Sequence, residues 1–319
     1  MSGAAGGLGR GPADGPGRGA TVGAAGDSIY DLGYRGYQGV RLGRAHAVAS
    51  LVRQSFRQSW GMGRPGRAKI VPFGLAAIAT VPAVVALGIS ALAKQLGAAD
   101  MIEAASPIRY ETYYPVIGQV VFLFAAAQAP ELLARDQRHR VLALFFSRAI
   151  RREDYAAAKL LALGAAMLAF LLFPLAVIFV GRALLAADVV AGVAADAGAV
   201  PAIVGEALLT AWLLAAMSLA IASFTPRRAY ATAAIFAVVV IPAATVGVLS
   251  ELAPGQVVGA VSLFSPGDVL DGANAFVFGH AQAGPPSASM PSLAYVGSAL
   301  AMIVVSTAVL VARFLRIEP

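Results

Sequence analysis

The stretch 160–181, LLALGAAMLAFLLFPLAVIFVG, contains no Asp, Glu, Lys or Arg. At about 1.5 Å of rise per residue a helix of that length crosses the roughly 30 Å hydrocarbon core of a bilayer. A helix at the surface of a soluble domain needs one apolar stripe, whereas this one is apolar on every face. Reading outward in both directions finds five more charge-free stretches, 70–93, 112–130, 207–226, 229–250 and 293–312. One charge at the centre of a span costs about 2.5–3.5 kcal/mol of insertion free energy, which is why absence of charge marks them. The whole chain of 319 residues is 59% hydrophobic and 13% charged, against roughly 25% charged in a soluble domain. Its mean hydropathy of +0.75 has the same origin. The sequence therefore predicts an all-α membrane protein with six transmembrane helices.

Lys and Arg fix the expected orientation, because cytoplasmic flanks retain positive charge during insertion. With the amino terminus inside, 21 of the 24 basic residues fall in cytoplasmic segments, and only Lys94, Arg109 and Arg182 fall outside. The acids divide almost evenly, eight inside and nine outside. Both termini are thus expected in the cytoplasm, in a multi-pass protein of the plasma (inner) membrane. The net charge of +7 lies along one membrane face, which topology and contact with anionic lipid explain without nucleic acid. The chain has no Cys, so disulfides and thiol chemistry are excluded.

Residues 1–40 are rich in Gly and Arg with Tyr30, Tyr34 and Tyr37 among them. They lack the apolar core of a signal peptide and read as a disordered cytoplasmic tail ahead of a transmembrane domain at 41–319. The tyrosines either pack beneath the membrane or on a partner, or belong to a flexible linker. Next, 44–62 (RAHAVASLVRQSFRQSWGM) places Val48, Leu51, Val52, Ser55, Phe56 and Ser59 near one helical face and Arg53, Gln54, Arg57 and Gln58 largely on the other. That pattern fits an N-terminal interfacial helix carrying Arg53, Phe56 and Arg57, with Trp60 at headgroup level. A solvated basic tail with chance apolar spacing is the alternative.

Three segments link the spans on the outer side: 94–111, 182–206 and 251–291. The longest carries apolar runs at 257–264 and 273–278, which either dip into the outer leaflet as short helices or pack against the outer ends of the spans. Pro82, Pro174 and Pro242 interrupt their spans and can kink them. Gln119, Gln128, Thr80, Ser90, Thr210, Ser218, Thr232 and Thr245 are expected to bond mostly between helices, with a minority lining a path.

The inner loop 131–159 reads ELLARDQRHRVLALFFSRAIRREDYAAAK, in which an apolar run lies between two charged clusters. An amphipathic helix of this kind either inserts apolar side chains into a groove on a soluble partner or lies at the interface with snorkelling Arg. The order of its residues resembles the first cytoplasmic loop of ABC-2 type transporter permeases. There an Arg-Glu pair, a Gly-Thr, a Leu-rich run, a Pro, an Arg, a Tyr and a Lys precede the third span. Arg135 and Asp136 stand at the first pair, Leu142, Leu144, Phe145 and Phe146 at the Leu-rich run, Arg152 at the Arg, and Tyr155 and Lys159 at the last two. Arg140 and Val141 replace the Gly-Thr, and Ala149 replaces the Pro.

The resemblance implies a coupling helix within 131–154 that docks on a separate nucleotide-binding subunit through Asp136, Arg138, Leu142, Phe145, Phe146, Arg148, Arg151 and Arg152. It also implies that two permease chains, identical or related, enclose one export pathway. Arg227 and Arg228, in the turn between the fourth and fifth spans, then make a second cytoplasmic contact or serve only as positive-inside anchors.

No G-x-x-x-x-G-K-S/T occurs, so this chain is expected to bind no cofactor of its own, with ATP-Mg held by the partner ATPase. The chain is therefore not expected to be an enzyme. His46, His139 and His280 lie far apart and no HExxH is present, which argues against a metal site. Two alternatives come from other classes: a membrane-embedded enzyme or assembly scaffold, and a gradient-driven secondary carrier. The second typically hides an ionisable residue at membrane depth, and the six windows contain none.

Overall fold

In a computed structural model, the protein is described at residues 39, 42–97, 109–138, 142, 145, 150–280 and 290–316. The chain divides into Met1–Arg41 and Leu42–Pro319. The tail expected at 1–40 and its tyrosines lie outside the described residues, Gly39 excepted. The described part of the second unit is helical, without strands.

Its helices are α1 (Arg44–Ser59), α2 (Arg67–Gln95), α3 (Tyr110–Arg138), α4 (Arg152–Leu185), α5 (Val189–Ala197), α6 (Val200–Ala222), α7 (Arg228–Leu252), α8 (Gly255–Ser262), α9 (Pro266–Phe278) and α10 (Ser292–Leu315). Six of them, α2, α3, α4, α6, α7 and α10, are long and apolar enough to cross a membrane. The protein is thus a multi-pass membrane protein, and each charge-free window overlaps one long helix. Pro82, Pro174 and Pro242 sit inside α2, α4 and α7, which continue through them.

The fourth helix departs from its window. It runs from Val200 to Ala222 rather than over 207–226, so Glu206, expected in an outer loop, is inside it and 1% exposed. A carboxylate bounds an uncharged stretch whether or not the helix continues through it. The helix instead obeys its own start signal, a Pro in the first turn at Pro201, where the missing N–H has no helical partner to lose.

Helices α3, α4 and α6 form the centre, while α2, α7 and α10 leave apolar faces outward. Lipid tails are as apolar as Leu, so association depends on close packing, and small residues allow it. Ala158, Ala162 and Ala166 make a fully buried row along α4, and Ala207, Ala211 and Ala215 make another along α6. Where the two helices meet, Gly164 lies against the Trp212 ring, which a Cβ would contact at 3.4 Å. Phe124 and Phe170 extend the centre toward α3, their rings 4.6 Å apart.

The polar span residues mostly bond within their own helices. Thr80, Ser90 and Thr245 each donate to the carbonyl four residues back, at 2.7, 3.0 and 2.8 Å, and Ser218 does likewise. A hydroxyl one turn away from a carbonyl is satisfied locally at no cost in packing. Of the six Ser and Thr residues expected to bond between helices, Thr232 alone does so, donating to Ala126 O on α3 at 3.1 Å.

The link from α1 to α2 is tight. Gly61 has φ +66°, and a Cβ there would meet Ala68 O at 2.5 Å, so no other residue fits. This turn directs Trp60 inward, where its ring lies 5.4 Å from Phe73 and 5.5 Å from Phe124.

Candidate functional site at the basic end of the bundle

One end of the bundle gathers the starts of α2, α4 and α7 and the ends of α3, α6 and α10. Glu131, near the end of α3, ties three elements together: Arg64 of the α1–α2 link bonds one carboxylate oxygen, and Arg228 of α7 donates to the other at 3.0 Å. Gln58 of α1 donates to its backbone carbonyl at 3.4 Å. Gln137 Nε2 donates to Ser223 O at 3.1 Å, which brings the end of α6 beside α3. Arg152 Nη1 donates to Leu315 O at 2.8 Å, which fixes the end of α10 beside the start of α4. Among the described residues, every Lys and Arg except Lys94, Arg109 and Arg182 belongs to α1, its link to α2, or the helix ends collected here. Both the start of α1 and the end of α10 lie at this end.

At its centre Asp136, Tyr155 and Lys159 meet. Tyr155 donates from its hydroxyl to Asp136 Oδ2 at 2.7 Å, and Lys159 Nζ reaches the same oxygen at 2.7 Å and Leu132 O at 3.0 Å. Lys159 is 2% exposed and Tyr155 fully buried. These are three of the positions that carried the family resemblance, and together they clamp the two ends of the inner loop to each other. Phe145 packs on the outer side of the clamp, its ring 5.7 Å from Tyr155, and Phe314 packs edge-on from α10 at 5.0 Å.

The start of α4 is capped by its own acids. Asp154 Oδ2 accepts the Arg151 backbone N–H at 2.9 Å, and Glu153 and Asp154 face the positive end of the helix dipole. Arg44 of α1 grips Asp154 through two bonds of 2.7 Å, a bidentate pair that anchors α1 along α4. The bond to Asp154 raises the Arg44 guanidinium above its usual range. Leu51, Ser55 and Ser59 form the buried face of α1, while Arg53 and Arg57 are exposed and Phe56 is half-buried.

Of the residues expected to contact a partner, Asp136 is turned inward onto Lys159, Leu142 is buried and Phe145 is half-buried. Arg138, Arg151, Arg227 and Arg228 are exposed, and Arg152 is partly so. Phe146 and Arg148, together with Leu144, Arg140, Val141 and Ala149, lie outside the described residues.

A groove of about 760 Å³ runs between the end of α3 and the α6–α7 turn. Arg135, Arg138, Arg227 and Arg228 line it with Glu131 at its base, so the two segments expected to touch a partner share one surface. Four guanidiniums and one carboxylate, the latter already shared between Arg64 and Arg228, make a surface for acidic groups. Glu131 and Arg64 were not among the expected site residues. Their pairing joins positions 67 residues apart, and no local pattern marks it.

A smaller cavity of about 110 Å³ lies toward the opposite end, between α3, α6 and α9. Glu206, Thr210, Gln119, Asn274 and Asp271 supply its polar lining, and Phe122, Leu171 and Leu214 part of its apolar lining. Helix α9 ends in the second apolar run of the long outer segment and packs among α3, α6, α7 and α10. Its Gly272 allows the approach to α10, because a Cβ there would meet the Tyr295 ring at 2.3 Å. No protein-family model matches the chain, and no curated protein matches it.

Proposed function

We propose that this chain is the membrane-spanning permease subunit of an ABC exporter, lying in the plasma membrane with its basic end and both termini in the cytoplasm. A separate P-loop ATPase, holding ATP and Mg²⁺, drives it, and a second permease chain completes the pathway. The observation that carries the proposal is the groove in which Arg135 and Arg138, at the start of the inner loop, stand beside Arg227 and Arg228. A motor gripping this groove pulls on α3, α6 and α7 at once. The Asp136–Tyr155–Lys159 clamp makes the base of the inner loop stiff enough to pass force into α3 and α4. In this orientation α1 is the interfacial helix, with Arg53 and Arg57 toward the headgroups, and the coupling segment falls within 131–154.

The test is purification from native membranes in mild detergent, followed by assay of bound ATPase. We expect a P-loop ATPase in fixed ratio. Replacing Arg138 and Arg227 by Glu together should reduce it by about tenfold or more, since like charges across an interface cost several kcal/mol. Arg228 stays untouched because it holds Glu131. An unchanged ratio in that variant contradicts the proposal.

Glu206 favours a second reading, a gradient-driven carrier. It lies about 9 Å along α6 from the helix start, by helical rise, and an ionisable group inside a span is the usual mark of ion coupling. Transport that follows an imposed ion gradient without ATP distinguishes it.

A further inference from the structure

We propose that the cavity between α3, α6 and α9 binds a small monovalent cation, with the Glu206 carboxylate as its counter-charge. The proposal stands apart from the identity of the motor and concerns the opposite end of the bundle.

The first observation is the state of Glu206 itself. It is 1% exposed, its Oε1 accepts only a long bond from Thr210 at 3.4 Å, and its Oε2 has no partner. No basic side chain is among the described residues that line the cavity. A carboxylate taken out of water with no counter-charge costs several kcal/mol, so it binds either a proton or a cation.

The second observation points to the cation. Asn274 faces the same cavity, is 3% exposed, and has an unpartnered Nδ2, while its Oδ1 lies 3.0 Å from His280 Nε2. Rotation of that amide by half a turn lets Nδ2 donate to His280 and presents Oδ1 to the cavity as a second oxygen ligand. Unrotated, Nδ2 donates to a water in the ion's shell. Gln119 adds another amide, and Asp271 brings a second negative charge to the lining. Nothing in a purely apolar span interface requires five polar side chains around one void.

Size and ligand number set the class of ion. A single water needs about 10–15 Å³ of cavity, so a cavity of about 110 Å³ has room for an ion and a few waters. Among the described residues no group of three or more His, Asp or Glu is placed to hold a metal ion. Glu206 is the one buried carboxylate of the lining, Asp271 being exposed, and a single buried carboxylate with amide and water oxygens suits sodium or potassium better than a divalent or transition metal.

The experiment uses the full chain in detergent. Its unfolding midpoint is measured in chloride salts of sodium, potassium and N-methyl-D-glucamine at equal ionic strength, the last cation being too large for the cavity. We expect the midpoint to rise saturably with sodium or potassium over N-methyl-D-glucamine, as binding to the folded state alone requires. Glu206→Gln should abolish that rise while keeping a midpoint in N-methyl-D-glucamine at or above that of the unaltered chain, since it removes a buried charge. Asn274→Leu should weaken the apparent affinity several-fold. Equal midpoints in all three salts overturn the proposal, as does a cation-dependent rise that survives in Glu206→Gln. The first outcome needs no variant, so a failure of Glu206→Gln to fold leaves the test intact.

Discussion

Asp136→Asn keeps the shape of its side chain and removes one charge, which isolates what the clamp at the basic end contributes. Lys159 is 2% exposed, and its ammonium is held by Asp136 at 2.7 Å and by Leu132 O at 3.0 Å. With Asn at 136 that ammonium remains buried without its carboxylate partner, and breaking a buried pair from one side costs about 3–5 kcal/mol. Lys159→Met leaves Asp136 partly exposed and still bonded to Tyr155, so it should cost less, about 1–3 kcal/mol. The double variant buries no unpaired charge and should lie within about 2 kcal/mol of the unaltered chain, because an apolar replacement of a buried pair is often close to neutral. Unfolding free energies from denaturant titration in mixed micelles give the full cycle. The expected coupling is about 2 kcal/mol or more, with the double variant more stable than the sum of the singles. An Asp136→Asn variant within about 0.5 kcal/mol of the unaltered chain, or strictly additive singles, would refute the clamp.

Three further outcomes follow from other sites. Gly272→Ala places a methyl against the Tyr295 ring, and overpacking of this kind should lower the unfolding free energy by about 1–3 kcal/mol and displace α9. Trp60→Ala removes two ring contacts and should cost about 2–3 kcal/mol, whereas Trp60→Phe should recover more than half of that in the same titration. Desolvation first, and the neighbouring Asp268 second, push the Asp271 carboxyl up from 3.8 to about 6. The folded state therefore holds that proton to a higher pH than the unfolded chain does, and stability falls as pH rises from about 4 to 6. In N-methyl-D-glucamine buffer Asp271→Asn should reduce that fall. Asp271 is exposed, so solvent screening keeps the difference small.

Much of the architecture could be read in advance because lipid imposes a simple rule: a helix that crosses must be apolar over its length, as 160–181 is. The same rule failed at α6, where Glu206 held the start of the uncharged window to 207, seven residues after the helix begins at Val200. Pro201 in the first turn and Thr210 one turn beyond Glu206 were the available signals, since a hydroxyl four residues away can bond a buried carboxylate. The face that α1 turns to the bundle followed from the spacing of Leu51, Ser55 and Ser59. Its anchor, Arg44 on Asp154, joins residues 110 apart and was invisible. Charged side chains at helix ends choose partners only after the bundle forms, so Glu131 between Arg64 and Arg228 left no trace in local pattern. Tyr155 and Lys159 entered through the family resemblance alone, and their common partner Asp136 emerged from the geometry. The basic groove was half legible: Arg138, Arg227 and Arg228 were named as contacts, but that they share one surface depends on α3 and the α6–α7 turn meeting.

The chain has no cysteine, so single cysteines can report which side of the membrane each end occupies. Arg138→Cys marks the basic groove and Val190→Cys marks exposed α5 near the opposite end. With a membrane-impermeant maleimide on intact cells, Val190→Cys should label at once and Arg138→Cys only after permeabilisation. Labelling of Arg138→Cys in intact cells, with Val190→Cys protected, would put the groove out of reach of any cytoplasmic ATPase and contradict the proposed function.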